Sequence, residues 1–484
     1  MNRNKLYIII ACCFLFQANF LTGQETMAKV LKEVMNKSFA AKTAGTQQAI
    51  ASSRFDFYKS QLRPNVGLNA NLPSYSKTSS PILQPDGTIS FRSIRQANSA
   101  VSLFASQVLT ATGGTVFANS DLRRFDDFSL KSNGYNGIPL RLGIIQPLFG
   151  YNPWKFEKEI QPLLIAESEK NYNIQIEQAL GDATNLYFDI LIAKQNLDIA
   201  VTNQEVNEKL LLIIEERLVL GKVSRDEKLQ LEIELNTAKL SVSQATFEFQ
   251  QAKSFLNTFL GEGNLSEEKI YSIPEASKVG QINIEGLLSA YKQNRPELIA
   301  YQRASLESSQ DLAIAKNNFG WQAEIQASIG LARGSEQLSE IYTNPFDEQQ
   351  FNVSVQIPLL DWGRKEAAME QVNLRQLDVE NAYTQRMLEL ENNIRQQALL
   401  FSRLQQELDL LKDIMDKAEE RFTISNNRYI LGNIDITNLT LAQREKDQAK
   451  RNYINALKSY WTIYYNLRSL SGYDILSNEN INYN

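Results

Sequence analysis

The 484-residue sequence contains no histidine. That absence removes the usual general base, the usual proton shuttle and the commonest metal ligand, and so argues against hydrolase triads and zinc sites. Only two cysteines are present, Cys12 and Cys13. Both fall in the leader described below, so a processed chain has no thiol, no disulfide framework and no cysteine chemistry. No phosphate-cradling glycine loop occurs. No apolar run reaches the ~20 residues that a membrane-spanning helix needs. Punctuation is scarce as well: from Asn152 to Leu218 no proline follows Pro162, and Gly181 is the single glycine.

What is present is ordinary for a folded chain, with 43% hydrophobic and 22% charged residues and a formal charge of -5. The first residues form a targeting segment. Arg3 and Lys5 precede the eleven-residue apolar run Leu6–Phe16, and Gly23 marks the cleavage region, so residues 1–23 read as a signal peptide. Ile9-Ile10-Ala11-Cys12 also fits a lipoprotein processing site, although cleavage there leaves only six apolar residues in front; lipidation of Cys12 stays open. Loss of Arg3 and Lys5 takes the charge from -5 to -7.

The rest divides by period. Residues 66–72, 323–331 and 351–359 alternate strictly. Val66, Leu68, Ala70 and Leu72 stand on one face, as do Ile325 and Ile329 in the second stretch and Val353 and Val355 in the third. Residues 140–148 alternate less strictly. Apolar-out, polar-in alternation over about 9 to 11 residues is the pattern of a transmembrane β-strand. A half-buried strand of a soluble sandwich shows the same alternation. Membrane strands are the reading here because the strands come in pairs with long polar loops, beside very long helices, in an exported chain.

Helical periodicity fills residues 152–218, where Leu186, Ile190, Ala193, Leu197 and Ala200 recur at steps of three or four, and residues 363–430 behave alike. Sixty-five such residues would extend about 100 Å. The segments 224–261 and 434–472 are read as antiparallel return helices in coiled-coil packing.

One offset links the halves. At a shift of 211, Pro147-Leu148 matches Pro358-Leu359, Arg217 matches Arg428, Leu220-Gly221 matches Leu431-Gly432, Ala245 matches Ala456 and Gly261 matches Gly472. Before the strands, Ser52-Ser53 matches Ser308-Ser309 at a shift of 256, so the first copy carries about 45 extra residues, within 73–138. The expected organisation is residues 24–272 as a first repeat, 273–473 as a second and 474–484 as a C-terminal tail. Each Leu-Gly break, followed by Ser224 or Asp435, reads as the turn of a helical hairpin. The pair of runs around Thr112-Gly113-Gly114 reads as a hairpin, placed either in a barrel wall, in the pore or outside the cell.

Four membrane strands cannot close a barrel, and an open edge in lipid has no hydrogen-bond partner, so several chains must pool theirs. With its duplicated order of strands and long helices, "NRPELIAYQRASLESSQDLAIAKNNF" (294–319), "QPLFGYNPW" (146–154), "IPLLDWGR" (357–364) and the two Leu-Gly tips, the chain resembles the TolC family of outer-membrane efflux and secretion channels from about residue 27 to 473. The resemblance implies a mixed, mainly α fold: long antiparallel coiled-coil hairpins, and a twelve-stranded transmembrane β-barrel shared by a homotrimer. It implies no enzyme and no cofactor but a passive exit duct in the cell outer membrane, with a periplasmic helical tunnel. An inner-membrane pump drives substrate and a periplasmic adaptor bridges the two; outer-membrane lipid surrounds the barrel, and no nucleic acid is involved. Leu220, Gly221, Val223, Leu431, Gly432 and Ile434 are then the adaptor-docking tips, and Glu227 with Tyr429 the candidates for a Tyr–carboxylate latch at the periplasmic aperture. Groove packing of Tyr429 and a solvated Glu227 is the plainer alternative. Family members place acidic residues six and nine positions after the second tip glycine. Here those positions are Asn438 and Leu441, so an acidic ring does not carry over. An exported adaptor or coiled-coil structural protein would share the helices but not the paired, lipid-facing strands.

Overall fold

The computed structural model describes residues 22–261, 272–280 and 282–483, the side chains of 22–26 excepted; the expected signal peptide and Cys12 lie outside the described residues. The elements run α1 (Thr22–Lys37), α2 (Phe39–Gln61), β1 (Asn65–Leu83), β2 (Ile89–Leu109), β3 (Gly114–Asp127), β4 (Ser132–Pro147), α3 (Pro153–Val219) and α4 (Arg225–Leu260). They continue with α5 (Ile284–Asn294), α6 (Glu297–Asn318), β5 (Gln322–Ser335), β6 (Phe346–Gln356), α7 (Arg364–Ile430), α8 (Ile436–Ser471), and the short β7 (Tyr473–Asp474) and β8 (Glu479–Asn480). Residues group into two compact units. Among the described residues, one is drawn from 22–49, 168–298 and 385–483, the other from Ile50–Glu167 and Ile299–Thr384.

The first unit is helical. Its core is built on two stripes that correspond position by position. Ala179, Ala183, Tyr187, Ile190, Ala193 and Leu197 of α3 lie 211 residues before Leu390, Ile394, Ala398, Phe401, Leu404 and Leu408 of α7, and all belong to one cluster. Where one stripe carries a large side chain the other tends to carry a small one, which lets close-packed layers interdigitate. Tyr187 and Phe401 are fully buried. Phe401 lies against Tyr460 with ring centroids 4.6 Å apart. The tail folds back on this unit. Arg468 donates to Glu177 (2.7 and 3.0 Å) and to Asp474 (3.0 Å), while the Tyr483 hydroxyl donates to Glu177. Burial pushes the Tyr464 hydroxyl, which donates to Asp474, well above its ordinary range.

The second unit holds a six-stranded antiparallel sheet in the order β1-β2-β3-β4-β5-β6. Of the placements left open for the insertion, the sheet takes it up, giving six strands where the resemblance to a twelve-stranded trimeric barrel implied four per chain. The inserted residues 73–138 lengthen β1, supply β2 and β3, and begin β4 in the same sheet. The Thr112-Gly113-Gly114 hairpin therefore lies in the sheet, and Gly113 takes the left-handed φ of 77° at its turn. The β6 strand ends at Gln356, three residues before the expected end at Leu359, where the ring of Pro358 removes the N–H a ladder needs.

Candidate functional site: the two-faced sheet and the paired helical tips

Strand register divides the sheet into an apolar and a polar face. One rung runs Val66, Ala105, Ala118, Leu142, Ile329, Gln349 across all six strands, and another runs Gln107, Val116, Ile144, Ala327, Phe351. Leu68 pairs with Leu103, Ile325 with Val353 and Ala323 with Val355, so all six residues singled out as lipid-facing share this side. Large apolar groups stand open on it, with Val66, Leu68 and Ile329 each more than half exposed. An apolar face of this breadth left in water is a strong signal that something apolar covers it.

The adjacent rung on the other face is Gly67, Phe104, Asn119, Arg141, Gly330, Glu348. Arg141 reaches across Gly330 to donate to both carboxylate oxygens of Glu348 at 2.9 and 3.0 Å. A Cβ on Gly330 would come within 3.0 Å of Arg141 and within 2.7 Å of the Leu140 carbonyl, so the glycine opens the route for this pair. Phe104 covers Gly67, and Phe117 covers Gly143, in the same way. Asn119 donates to Asp121 on this face, and Ser106, Ser328 and Gln350 lie one rung away. Exposed aromatic side chains stand at and just beyond the strand ends: Phe149, Trp321 and Trp362 at one end, and at the other Tyr342 and Phe346, the first residue of β6. That is where amphipathic rings sit at a membrane–water boundary. The aromatic placement escapes a reading based on alternation alone, because these residues flank the strands or, like Phe346, lie at a strand's first position.

The two tips in the helical unit share one construction. Gly221 (φ 67°) and Gly432 (φ 78°) occupy left-handed turns. Gly221 N donates to Leu218 O and Lys222 N to Arg217 O, while Gly432 N donates to Tyr429 O and Asn433 N to Arg428 O. The next helices are capped by Ser224, accepting from Glu227 N at 3.2 Å, and by Asp435, accepting from Asn438 N at 2.8 Å. Leu220 and Leu431 are 67% and 74% exposed. Val223 and Ile434 instead pack inward on a small cluster of Leu210, Ile214, Leu231, Phe422, Tyr429, Ile436 and Leu439. The structure thus brings the six tip residues together but presents only the leucines and glycines outward.

Tyr429 is buried, and its hydroxyl has no hydrogen-bond partner among the described residues. Burial raises its pKa, the Arg217 charge beside it pulls the other way, and the Glu227 carboxylate adds to the rise. No hydrogen bond joins Tyr429 and Glu227 within the chain; Glu227 sits in the first turn of α4, half-buried. What sequence reasoning passed over is Arg217. Its guanidinium donates to Tyr429 O (3.2 Å) and Ile430 O (2.6 Å), satisfying carbonyls that a helix C-terminus leaves open, and lies 5.7 Å from the Tyr429 ring centroid. Its recurrence as Arg428 at the repeat offset was the available signal.

Long helical hairpins combined with an up-and-down sheet that is apolar on one face define the fold of outer-membrane channel proteins. The solved channels agree. The Campylobacter jejuni CmeC outer membrane channel superposes with a TM-score of 0.68 at 14% identity, covering 93% of this chain and 86% of that one. The outer-membrane channel OprN does so at 0.66 and 17%, covering 93% and 90%. The family described as outer membrane efflux protein matches residues 287–473. A cobalt-zinc-cadmium resistance protein, CzcC of Cupriavidus metallidurans, is 22% identical over 282 residues, which is 56% of this chain. The chain spans 62% of the length of that curated relative.

Proposed function

We propose that three copies of the chain form an outer-membrane channel-tunnel, the exit duct of a tripartite efflux pump or type I secretion system. The observation that carries this is the sheet: apolar on one face across all six strands, and ending in β1 and β6, which have no further partner strand among the described residues. In lipid those edges must be paired, and an even number of alternating strands lets β6 of one copy meet β1 of the next antiparallel. Three copies of a six-stranded sheet give eighteen strands, in the size range that leaves a water-filled channel. Polar Ser, Asn and Gln with the Arg141–Glu348 pair then line the water, and the residues on the Val66–Ile329 side meet lipid.

An unpartnered apolar seam supports pooling in the helical unit too. Leu229, Ile233, Leu240 and Phe247 stand exposed along α4. Their counterparts on α8 are Thr440, Arg444, Arg451 and Lys458; Arg444 pairs with Glu234 and Lys458 with Asp189 inside the chain. The exposed leucines and glycines of the tips are the surface for a periplasmic adaptor bridging to an inner-membrane pump. Glu227 and Tyr429 stay candidates for the periplasmic aperture, and residues 24–272 and 273–473 stand as the two repeats of the duct.

Detergent extraction of outer membranes, followed by imaging of the purified particle, tests the reading. A trimer with an eighteen-stranded barrel that conducts ions in a planar bilayer is expected. A monomer recovered without detergent would return the chain to the adaptor or structural class. Gly432→Trp should leave the trimer assembled yet abolish adaptor crosslinks and export, with Gly432→Asn, which tolerates the left-handed turn, as control. Normal export by the Trp variant would remove the tip from the docking surface.

A further inference from the structure

The β1–β2 hairpin outruns the rest of the sheet. β3 ends at Asp127, opposite Gln96, so from Lys77 with Arg95 to Leu83 with Ile89 the two strands pair with each other and with no third strand. Phe128 and Ser129 hydrogen-bond its base, at Arg95 and Ser93. A two-stranded hairpin is marginally stable in water by itself, so something is expected to rest on this one. Its turn lies at the end of the sheet away from the helices, since α2 leads into β1, α3 leaves β4, α6 leads into β5 and α7 leaves β6. With the helical tunnel in the periplasm, that end is the cell-surface end.

Register says which side of the hairpin continues the apolar face. Leu103 and Val101 of β2 stand on that face, opposite Leu68 and Ala70, and β2 keeps an unbroken register with β3, so its alternate residues stay on it. Beyond the bulge between Asn71 and Ser74 the next rungs on this side are Tyr75 with Ala97, Lys77 with Arg95, Ser79 with Ser93 and Pro81 with Phe91. A tilted strand crosses the lipid core in about 9–11 residues. Counted from Asn65, the crossing ends about Tyr75, whose exposed ring meets that of Phe128 with centroids 6.0 Å apart, as at a membrane boundary. Lys77 and Arg95 are therefore the first lipid-side rung above the core.

That rung places two cations directly opposite each other, an arrangement that repels. Both side chains are exposed, and neither makes a hydrogen bond or ion pair among the described residues. The carboxylate on the rung below, Asp126 opposite Ala97, is held by Arg124 at 2.8 and 3.1 Å. An anion shared by Lys77 and Arg95 turns the repulsion into a two-sided clamp. Above it, Ser79 and Ser93 offer exposed hydroxyls, and Phe91, 73% exposed, offers a ring face to the C–H side of a sugar.

We propose that this side of the hairpin seats a phosphorylated glycolipid of the outer leaflet, with Lys77 and Arg95 on its phosphate. The order along the strands is the order of such a lipid's parts: apolar rungs for acyl chains, the cation pair for phosphate, then hydroxyls and an aromatic ring for sugar. The site is continuous with the lipid-facing side of the sheet, so the inference rests on the channel reading.

The test uses the full-length protein extracted in detergent and exchanged into micelles doped with one lipid at a time, with bound lipid counted by native mass spectrometry. Bisphosphorylated lipid A should stay bound. Lipid A stripped of its phosphates, and phosphatidylglycerol, which has phosphate but no sugar, should each bind at least about tenfold more weakly. Lys77→Ser with Arg95→Ser should weaken lipid A binding by a similar factor with the oligomer intact in the same spectra, and Lys77→Arg should keep it. Arg92 stands opposite Ser80 on the other side of the same hairpin, so Arg92→Ser should bind as the parent does. Parent-like binding by the double variant, an equal loss in Arg92→Ser, or equal binding of the phosphate-free lipid overturns the site. Phosphatidylglycerol held as tightly as lipid A overturns the glycolipid in favour of a phospholipid. Each of these leaves the channel standing, whereas a chain recovered without detergent overturns the channel reading and the inference with it.

Discussion

The two halves of the chain agree to the residue in their long helices and differ by two strands in their sheet. The pairs α3 with α7 and α4 with α8 are 67 and 36 residues long in both halves, whereas the first half supplies β1 to β4 and the second only β5 and β6. Adding a hairpin to an up-and-down sheet keeps every neighbouring pair antiparallel and every face in register, so strands are gained two at a time at little cost to the rest. Length change in one helical hairpin has no such freedom. It would shift every buried position of α3 against its partner stripe, and part Arg217 from the α7 carbonyls it satisfies. Sheet width is the adjustable quantity and helix length the constrained one.

The same comparison ranks the substitutions that test it. The largest effect is expected at a charge network that is built once and has no repeat counterpart, between Glu177 of the first half and Arg468 of the second. Glu177 is 2% exposed and neutralises Arg468, whereas their repeat counterparts are the uncharged Leu388 and Asn257. Glu177→Ala leaves a buried guanidinium short of its main partner and should cost about 3–5 kcal/mol. Leu388→Ala, at an exposed site, should stay within about 0.5 kcal/mol. Thermal unfolding of the purified protein measures both; equal losses would show that the halves do not differ here.

Next come the two faces of the sheet. Arg at Val355 or Ile325 should cost about 2–4 kcal/mol near the membrane midplane, and Arg at Ser354 or Gln326 far less. Leu103→Arg sharpens the test, because Leu103 lies on an inserted strand: it should be as damaging as Val355→Arg if β2 belongs to the wall. The readout is the fraction of folded barrel in membranes, and a harmless Leu103→Arg would take the inserted strands out of it.

A smaller change makes the second half resemble the first. Tyr460 corresponds to Phe249; its buried hydroxyl donates to Ser277 O at 2.6 Å, and burial pushes its pKa up to about 12 from 10.0. Because the folded pKa is the higher one, the stability it contributes is whole below pH ~10 and is lost as the pH rises toward about 12. Tyr460→Phe should cost about 1 kcal/mol at neutral pH and should flatten that part of the alkaline loss, read from denaturant midpoints against pH. The smallest effect falls at the tip. Tyr429→Phe removes a hydroxyl with no bond to lose and should change stability by no more than about 0.5 kcal/mol. A clear loss, or raised conductance that Glu227→Gln reproduces, would show a latch made between copies.

The periodic parts of this architecture are legible in the sequence because they follow one rule each. Alternation marks Val66–Leu72, Ala323–Leu331 and Phe351–Val355; three-and-four spacing marks α3 and α7; Leu-Gly followed by Ser224 or Asp435 marks the tips. Residues 73–99 are different. They are rich in Ser, Arg and Gln, with few alternating apolar positions, and become strand through pairing with their neighbours, as Ser79 with Ser93 and Lys77 with Arg95. Tertiary pairing decides such segments, and local pattern does not. Arg217 was illegible for a related reason. A guanidinium that satisfies the carbonyls of a helix 212 residues away has no local pattern, only its twin at 428.

The duplicated turn also sets a counting rule. The proposed ring of three chains would display six tips of two kinds, one with Leu218 before its Leu-Gly and one with Tyr429. A partner that touches only the exposed leucine and glycine finds six near-equivalent seats and binds two to a chain. One that also reads the positions where the turns differ, Lys222 against Asn433, finds three of each and binds one to a chain, or distinguishes two modes of contact. The stoichiometry of the assembly is thus decided by how far around each turn the partner reaches.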